Sequence, residues 1–351
     1  MTKAELDSIK ILPLEDSWYR KVKEKLDGIA KPLDGLGKFE HLIAQIGAIE
    51  KTTKISIQKK AVLVMCADNG VVEEQVSQSG KEVTLAVAKA MGVNNSSVGK
   101  MAAVAGVDVI PVDIGIDTDE VIPGVLPRKV AKGTKNFAKE PAMTEEEVLK
   151  AIETGIQLVQ QCHREGYEIL ATGEMGIGNT TTSTAVAAAL LDLQVTGKGA
   201  GLTDEALKRK CRVIEEAIEK YSLRDADAFT ILKTVGGLDI AGLTGVFIGA
   251  AIEQIPVVID GVISAVAALL AETLCKGAVN YMIPSHKSRE LAETAIMKKL
   301  HLEPVLDADM ALGEGTGAVM MMSLLDVALG VYLQGASFAN FEIEQYKRYE
   351  E

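Results

Sequence analysis

Five short apolar runs, each ending in an acid, a glycine or a histidine, leave this chain few architectures to choose from. They are "KAVLVMCADNG" from Lys60, "VDVIPVDIG" (Val107 to Gly115), "YEILATGEMG" (Tyr167 to Gly176), "IPVVIDG" (Ile255 to Gly261) and "VNYMIPSH" (Val279 to His286). An uninterrupted apolar run of this length is what a strand looks like when both faces of its sheet are covered. Helical segments lie between the runs, and strands alternating with helices imply a mostly parallel sheet with helices on both faces. In such α/β folds ligands bind at the carboxyl ends of the strands, so the polar residues that end these runs are expected to share one crevice.

The remaining sequence narrows the class of partner. The chain carries 49 acidic against 37 basic residues in 351, a formal net charge of −12, and the bases are scattered. Nothing in that pattern recruits a nucleic-acid backbone or an anionic membrane, so small molecules are the expected partners. Cys66, Cys162, Cys211 and Cys275 lie far apart with no C-x-x-C spacing and read as reduced core thiols. The start of the chain has no uninterrupted apolar run, and later ones are broken before about 20 residues. A cytoplasmic location is therefore expected. Helical periodicity appears around Ser17 to Ile29 and around Phe39 to Ile49, joined by the helix-breaking "KPLDGLGK", which suggests a small helical element outside the main core. Three later helices, "TTTSTAVAAALLDL", "IAGLTGVFIGAAIEQ" and "VISAVAALLAETL", are rich in alanine and glycine and suited to close packing. The loop from Ala131 to Val148 ends at a helix start, with Thr144 as cap and Glu147 as its capping-box partner.

Chemistry concentrates at the strand ends. In "TGEMGIGNTTTSTAV" (Thr172 to Val186) a strand runs into a glycine-rich turn and then a helix opened by small hydroxyl residues. Free amides at such a helix start suit a phosphate, although tight packing alone would also select the glycines. It is neither a Walker loop nor G-x-G-x-x-G. Glu174 within it points to a ligand with hydroxyls, because a carboxylate beside a phosphate nest is otherwise unfavourable. A second cluster, "GKGAGLTDEALKRK" (Gly197 to Lys210), precedes a helix capped by Thr203. Its bases Lys208, Arg209 and Lys210 fit a solvated face, while one of them could reach back to a phosphate. The long loop "ADNGVVEEQVSQSGKEVT" (Ala67 to Thr84) draws attention to Asp68 and Ser77. Asp260 reads as a cap for its own following helix or as a ligand contact, and His286 as a structural histidine. His41, His163 and His301 have no partners at metal-ligand spacing.

Glu314, in "LGEGTGAVMMM" (Leu312 to Met322), is the most telling acid. As an N-terminal helix acid it would merely stabilise the dipole. Flanked by Gly313, Gly315 and Gly317, however, it lets a ligand come close, and an apolar wall would raise its pKa toward that of a general base. No nucleophilic Ser/His or Cys/His pattern, no metal cluster and no acidic pair for magnesium accompany it. Base chemistry without a metal or cofactor is the expectation.

"KPLDGLGKFE", "DNGVVEEQVSQSGKEVT", "GEMGIGNTTT", "GKGAGL", "VVIDGVISAVAALLA", "SHKSRE" and "LGEGTGA" occur in an order that resembles the nicotinate-nucleotide:dimethylbenzimidazole phosphoribosyltransferase family, over roughly residues 15 to 340. The resemblance implies a Rossmann-like catalytic domain (residues 56–329), a small helical domain from both chain ends (1–55 and 330–351), and a dimer. It implies transfer of 5-phosphoribosyl from nicotinate mononucleotide to an aromatic base, giving an α-ribotide and nicotinate in cobamide (vitamin B12) synthesis. Glu314 would be the base that takes a proton from the incoming ring. The amides around Gly176 and Gly178, with Lys210, would hold the phosphate; Glu174 and Asp260 would lie near the ribose. Ser77 would border the acceptor pocket, and Asn179, Leu85, Leu312, Gly313 and Gly315 complete the expected substrate-binding set. The sequence departs from the family pattern at Asn69, where D-H-G is common, at Gly80, where proline is usual, at Leu85, where glutamine is frequent, and at Ala311, where arginine is common. These departures keep two alternatives in view: phenol, p-cresol or adenine as acceptor, to which Leu85 and the methionine run are suited, and a heterodimer with a silent subunit, against which Glu314 argues.

Overall fold

The computed structural model describes residues 1–193 and 201–348. Its centre is a six-stranded sheet of β1 (Lys60–Ala67), β2 (Val107–Gly115), β3 (Leu126–Pro127), β4 (Ile169–Met175), β5 (Val257–Ile259) and β6 (Met282–Pro284). The spatial order is β3-β2-β1-β4-β5-β6, and every pairing is parallel. All five apolar runs are strands. The sixth, β3, has no signature in the sequence: it is two residues long and ends in Pro127, which is tolerated because it lies at the sheet edge. From β1 the chain winds outward through β2 to β3, then returns to add β4, β5 and β6 on the other side. The reversal falls between β1 and β4, which is where a crevice opens in doubly wound sheets.

Burial on both faces explains the apolar runs. Along β1, Ala61, Leu63, Met65 and Ala67 join one apolar cluster, and Val62, Val64 and Cys66 join the other. The first layer contains helices 145–164, 238–253 and 262–274. Here glycine permits backbone contact, since a Cβ on Gly155 would lie 2.1 Å from the Gly242 carbonyl oxygen. Helix 145–164 begins with the expected Thr144–Glu147 capping box. The opposite layer holds helices 16–27, 38–49, 97–105 and 316–334, which share one apolar cluster with the sheet. The chain's last described segment returns to the N-terminal helices, where Ser337 bridges to Ile29 and Arg348 pairs with Asp27 and Asp34. Helix 316–334 is long and apolar enough to cross a membrane by composition, but more than half of it is buried in this layer.

Candidate active site

Three strand ends and one turn build the site. β4 carries Glu174 as its next-to-last residue and leads through Gly176 and Gly178 into helix 179–191; β5 delivers Asp260; β6 delivers His286. The fourth contribution is the turn before helix 316–334, where Gly313, Glu314 and Gly315 all have positive φ, at 85°, 60° and 87°. A left-handed glutamate is uncommon and persists only where its surroundings hold it. Asp260 supplies much of that hold: its two carboxylate oxygens accept the Gly315 amide at 3.1 Å and the Ala318 amide at 3.0 Å. Asp260 thus caps helix 316–334 and not its own following helix, whose cap, Gly261, makes no side-chain bond. Close packing requires the glycines here. A Cβ on Gly313 would lie 2.6 Å from Glu174 Oε1, and one on Gly317 only 2.0 Å from His286 Nδ1.

These elements enclose a cavity of about 220 Å³, and Glu314 stands in its wall. Glu314 does not serve its own helix. Its Oε2 instead accepts the Val98 amide at 3.0 Å, in the first turn of helix 97–105. Burial raises its pKa, the Val98 bond opposes the shift, and the nearby Asp260 charge adds to it. Glu174 is more extreme: burial pushes it up to about 8, with Asp239, Asp260 and Glu314 adding to the effect and Asn179 opposing it. Asn179 Nδ2 donates both to Glu174 Oε2 and, at 3.0 Å, to Asp239 Oδ2. Burial likewise pushes Asp239 up to about 6 and raises Asp260, which His286 pulls the other way. Near the start of helix 179–191, Lys210 is fully buried, donates to Thr180 Oγ1 at 3.2 Å, and is pushed down to about 8 by burial.

The structure gathers most of the residues singled out in the sequence. Ser77, Glu174, Gly176, Gly178 and Asn179 line the cavity on one side, and Asp260, Leu312, Gly313 and Glu314 on the other. His286 lines it as well. Among the three bases, Lys210 is the one turned inward, whereas Lys208 is exposed. Leu85 is not in the cavity wall; it packs against the apolar layer around helix 316–334, and Met321 and Met322 are buried in that layer. The amide of Gly315 is directed to Asp260. Residues Gly197 to Ala200 of the second glycine cluster lie outside the described residues. Asp239, Val98 and Thr84 were not singled out in the sequence. For Asp239 the available signal was an acid directly after "GGL" at a strand-facing helix start; Val98 contributes only a backbone amide, which no side-chain pattern reveals.

The comparisons agree with this geometry. The family model described as phosphoribosyltransferase matches residues 11–343. The chain is 44% identical over 337 residues to the nicotinate-nucleotide–dimethylbenzimidazole phosphoribosyltransferase of Clostridium acetobutylicum, covering 95% of this chain and 96% of the relative. It is 45% identical over 329 residues to the enzyme of that name from Acetivibrio thermocellus, covering 93% and 94%. The crystal structure of CobT from Thermus thermophilus superposes with a TM-score of 0.88 at 33% identity, covering 94% of this chain and all of that one. On a sheet of this order, with these acids at its strand ends, the chain belongs to the nicotinate-nucleotide–dimethylbenzimidazole phosphoribosyltransferase family.

Proposed function

We propose that this protein moves the 5-phosphoribosyl group from nicotinate mononucleotide to an aromatic base of the dimethylbenzimidazole type, as part of cobamide synthesis. The donor's glycosidic nitrogen is a pyridinium. When the acceptor nitrogen attacks C1′ from the opposite face, the bond to nicotinate breaks, its electron pair returns to the pyridine ring, and β becomes α. The acceptor ring then carries a positive charge, which it loses by giving the proton of its second nitrogen to Glu314. A carboxylate whose pKa is raised by burial accepts that proton more readily than an exposed one.

The observation that carries this reading is the placement of Glu314 in the cavity wall, its orientation fixed by the Val98 amide and its turn clamped by Asp260. The turn at Gly176 to Gly178 and the inward Lys210 are suited to the donor phosphate. Glu174, holding its proton near neutrality, offers an O–H to a ribose hydroxyl without placing another negative charge beside the phosphate. Ala311 and Leu312 leave the wall next to Glu314 apolar, which also suits a phenolic acceptor. Incubating the purified protein with nicotinate mononucleotide and, in turn, dimethylbenzimidazole, adenine and phenol, with mass spectrometry of the products, tests the reading. We expect the benzimidazole ribotide as main product. A phenolic or adenine product would move the assignment to that acceptor, and no product with any of them would leave a silent subunit.

We further propose a dimer, a small helical domain from residues 1–55 and 330–351 that packs on the sheet, and a cytoplasmic location. Helices 97–105 and 316–334, which pack together, leave Val104 and Val327 91% and 74% exposed, a face suited to a second subunit. The four unpaired cysteines suit a reducing compartment.

A further inference from the structure

Thr84 lies on helix 82–92, fully buried, with a hydroxyl that neither the cavity nor the apolar layer uses. Its Oγ1 accepts the amide of Ile177 at 3.1 Å, and Ile177 is the middle residue of the Gly176 to Gly178 turn. The same hydroxyl bears on the buried carboxyl group of Asp68 and lowers its pKa against the larger effect of burial. Asp68 is itself fixed to the sheet frame: its amide donates to the Gly115 carbonyl at 3.0 Å, and its Oδ2 accepts the Asp117 amide at 2.8 Å. Thr84 thus stands between the Asp68 carboxyl group, which is tied to the ends of β1 and β2, and the turn that follows β4, to which it is bonded.

We propose that Thr84 is a positioning residue for the donor's phosphate: by holding the Ile177 amide, it sets the peptide planes of the turn so that the amides at the start of helix 179–191 face the phosphate. Three observations support this. The Ile177 amide is already taken, so it is not one of the phosphate's donors. The turn's own bonds, from the Asn179 amide to the Gly176 carbonyl at 3.1 Å and from the Thr181 amide to the Gly178 carbonyl at 2.9 Å, leave the Ile177 amide to Thr84. Glycine at both ends leaves the turn's orientation to what lies against it: the Ala67 carbonyl at Gly176, Val72 at Gly178 and the Thr84 hydroxyl at Ile177. A valine at position 84 keeps the shape but removes the acceptor, leaving the part-buried Ile177 amide unmet and its peptide plane without its hydroxyl partner.

The inference rests on the reading that this turn holds the phosphate, and the test separates the two. Titration calorimetry of the full chain measures Kd for nicotinate mononucleotide and for nicotinate riboside, which lacks the phosphate. Wild type should favour the nucleotide by at least about a hundredfold. Thr84→Val should narrow that preference about tenfold with little change for the riboside, and Thr84→Ser, which restores the hydroxyl, should recover it. Thermal melting identifies which variants are folded, and Thr84→Ala is read in the same way if the valine variant is not. An unchanged preference in the folded Thr84→Val or Thr84→Ala protein overturns the inference while leaving the phosphate reading intact. So does a serine variant as impaired as valine. A wild type that binds riboside and nucleotide alike overturns the phosphate reading, and this inference with it.

Discussion

Two regions of this molecule bury carboxylates in opposite ways. In the N-terminal helices Glu40 is fully buried, and burial alone would raise its pKa. Lys31 at 2.5 Å, Lys23 at 2.9 Å and the Leu36 amide at 3.2 Å instead hold it below the ordinary value. Lys23 also bonds Asp34, which Arg348 grips from the other chain end, and these partners hold Asp34 well below the carboxylate range. In the crevice, Glu174, Asp239, Asp260 and Glu314 are close enough to raise one another or to share one donor, and the protein offers them amides and a single histidine. The first arrangement is complete as it stands: each buried charge has its counter-charge, as structural ion pairs require. The second is unbalanced, and a substrate that carries a pyridinium and then a cationic ring supplies what is missing. Strained or poorly compensated groups are tolerated where function needs them.

Removing the acid that matters most should break the crevice without touching the ion-pair region. Glu314→Gln is expected to lower kcat with dimethylbenzimidazole by about 10²- to 10⁴-fold, with the melting temperature unchanged; wild-type turnover in that variant would end the role given to Glu314. The converse change is Glu40→Ala, which takes the carboxylate partner from the largely buried Lys31 and leaves Lys23 with Asp34 alone. Its expected cost is about 3 kcal/mol in urea denaturation, with kcat within roughly twofold of wild type.

Changing pH should pull the regions apart, because their shifts have opposite sign. Glu174 and Glu293 are each pushed up to about 8 by burial from an unfolded value near 4.5. Folding therefore favours their protonated forms, and the stability they contribute is present at low pH and lost as pH rises toward and through 8. The lowered acids, Glu40 and Asp34, contribute stability above their unfolded values and lose it in acid. Ligand-free protein should consequently melt at least about 4 °C lower at pH 9 than at pH 6. A flat or rising melting temperature over that range would contradict the raised values. The smallest effect is expected for Glu174→Gln at pH 7, since glutamine imitates the protonated acid: less than about a tenfold loss in kcat/KM. The wild type is expected to lose nucleotide affinity in alkali as Glu174 ionises and this variant is not, which a pH series of KM for each would reveal.

Much of this was legible before any coordinates. The apolar runs fixed the strands because a strand covered on both faces has no polar positions to spare, and the acids and glycines that end them marked the crevice. Capping at Thr144 and Thr203 was readable because it is local, a side chain answering an amide three residues on. Glu314 stood out because glycines surround it. What could not be read was anything that joins distant segments: that Glu314 meets the start of helix 97–105, that Asp260 caps a helix 55 residues away, and that Asp239 shares Asn179 with Glu174. Leu85 and the methionine run show the same limit from the other side: both looked suited to a pocket, yet Leu85, Met321 and Met322 lie in the apolar layer and Met320 is exposed.

The sequence by itself determined the architecture and which residues carry chemistry, because hydrophobic period, glycine and capping act over a few residues. Tertiary structure alone decided which acids are neighbours and therefore which of them hold protons. A carboxyl group's charge depends on its desolvation and on charges within a few ångströms, and those distances exist only once the strands are laid side by side.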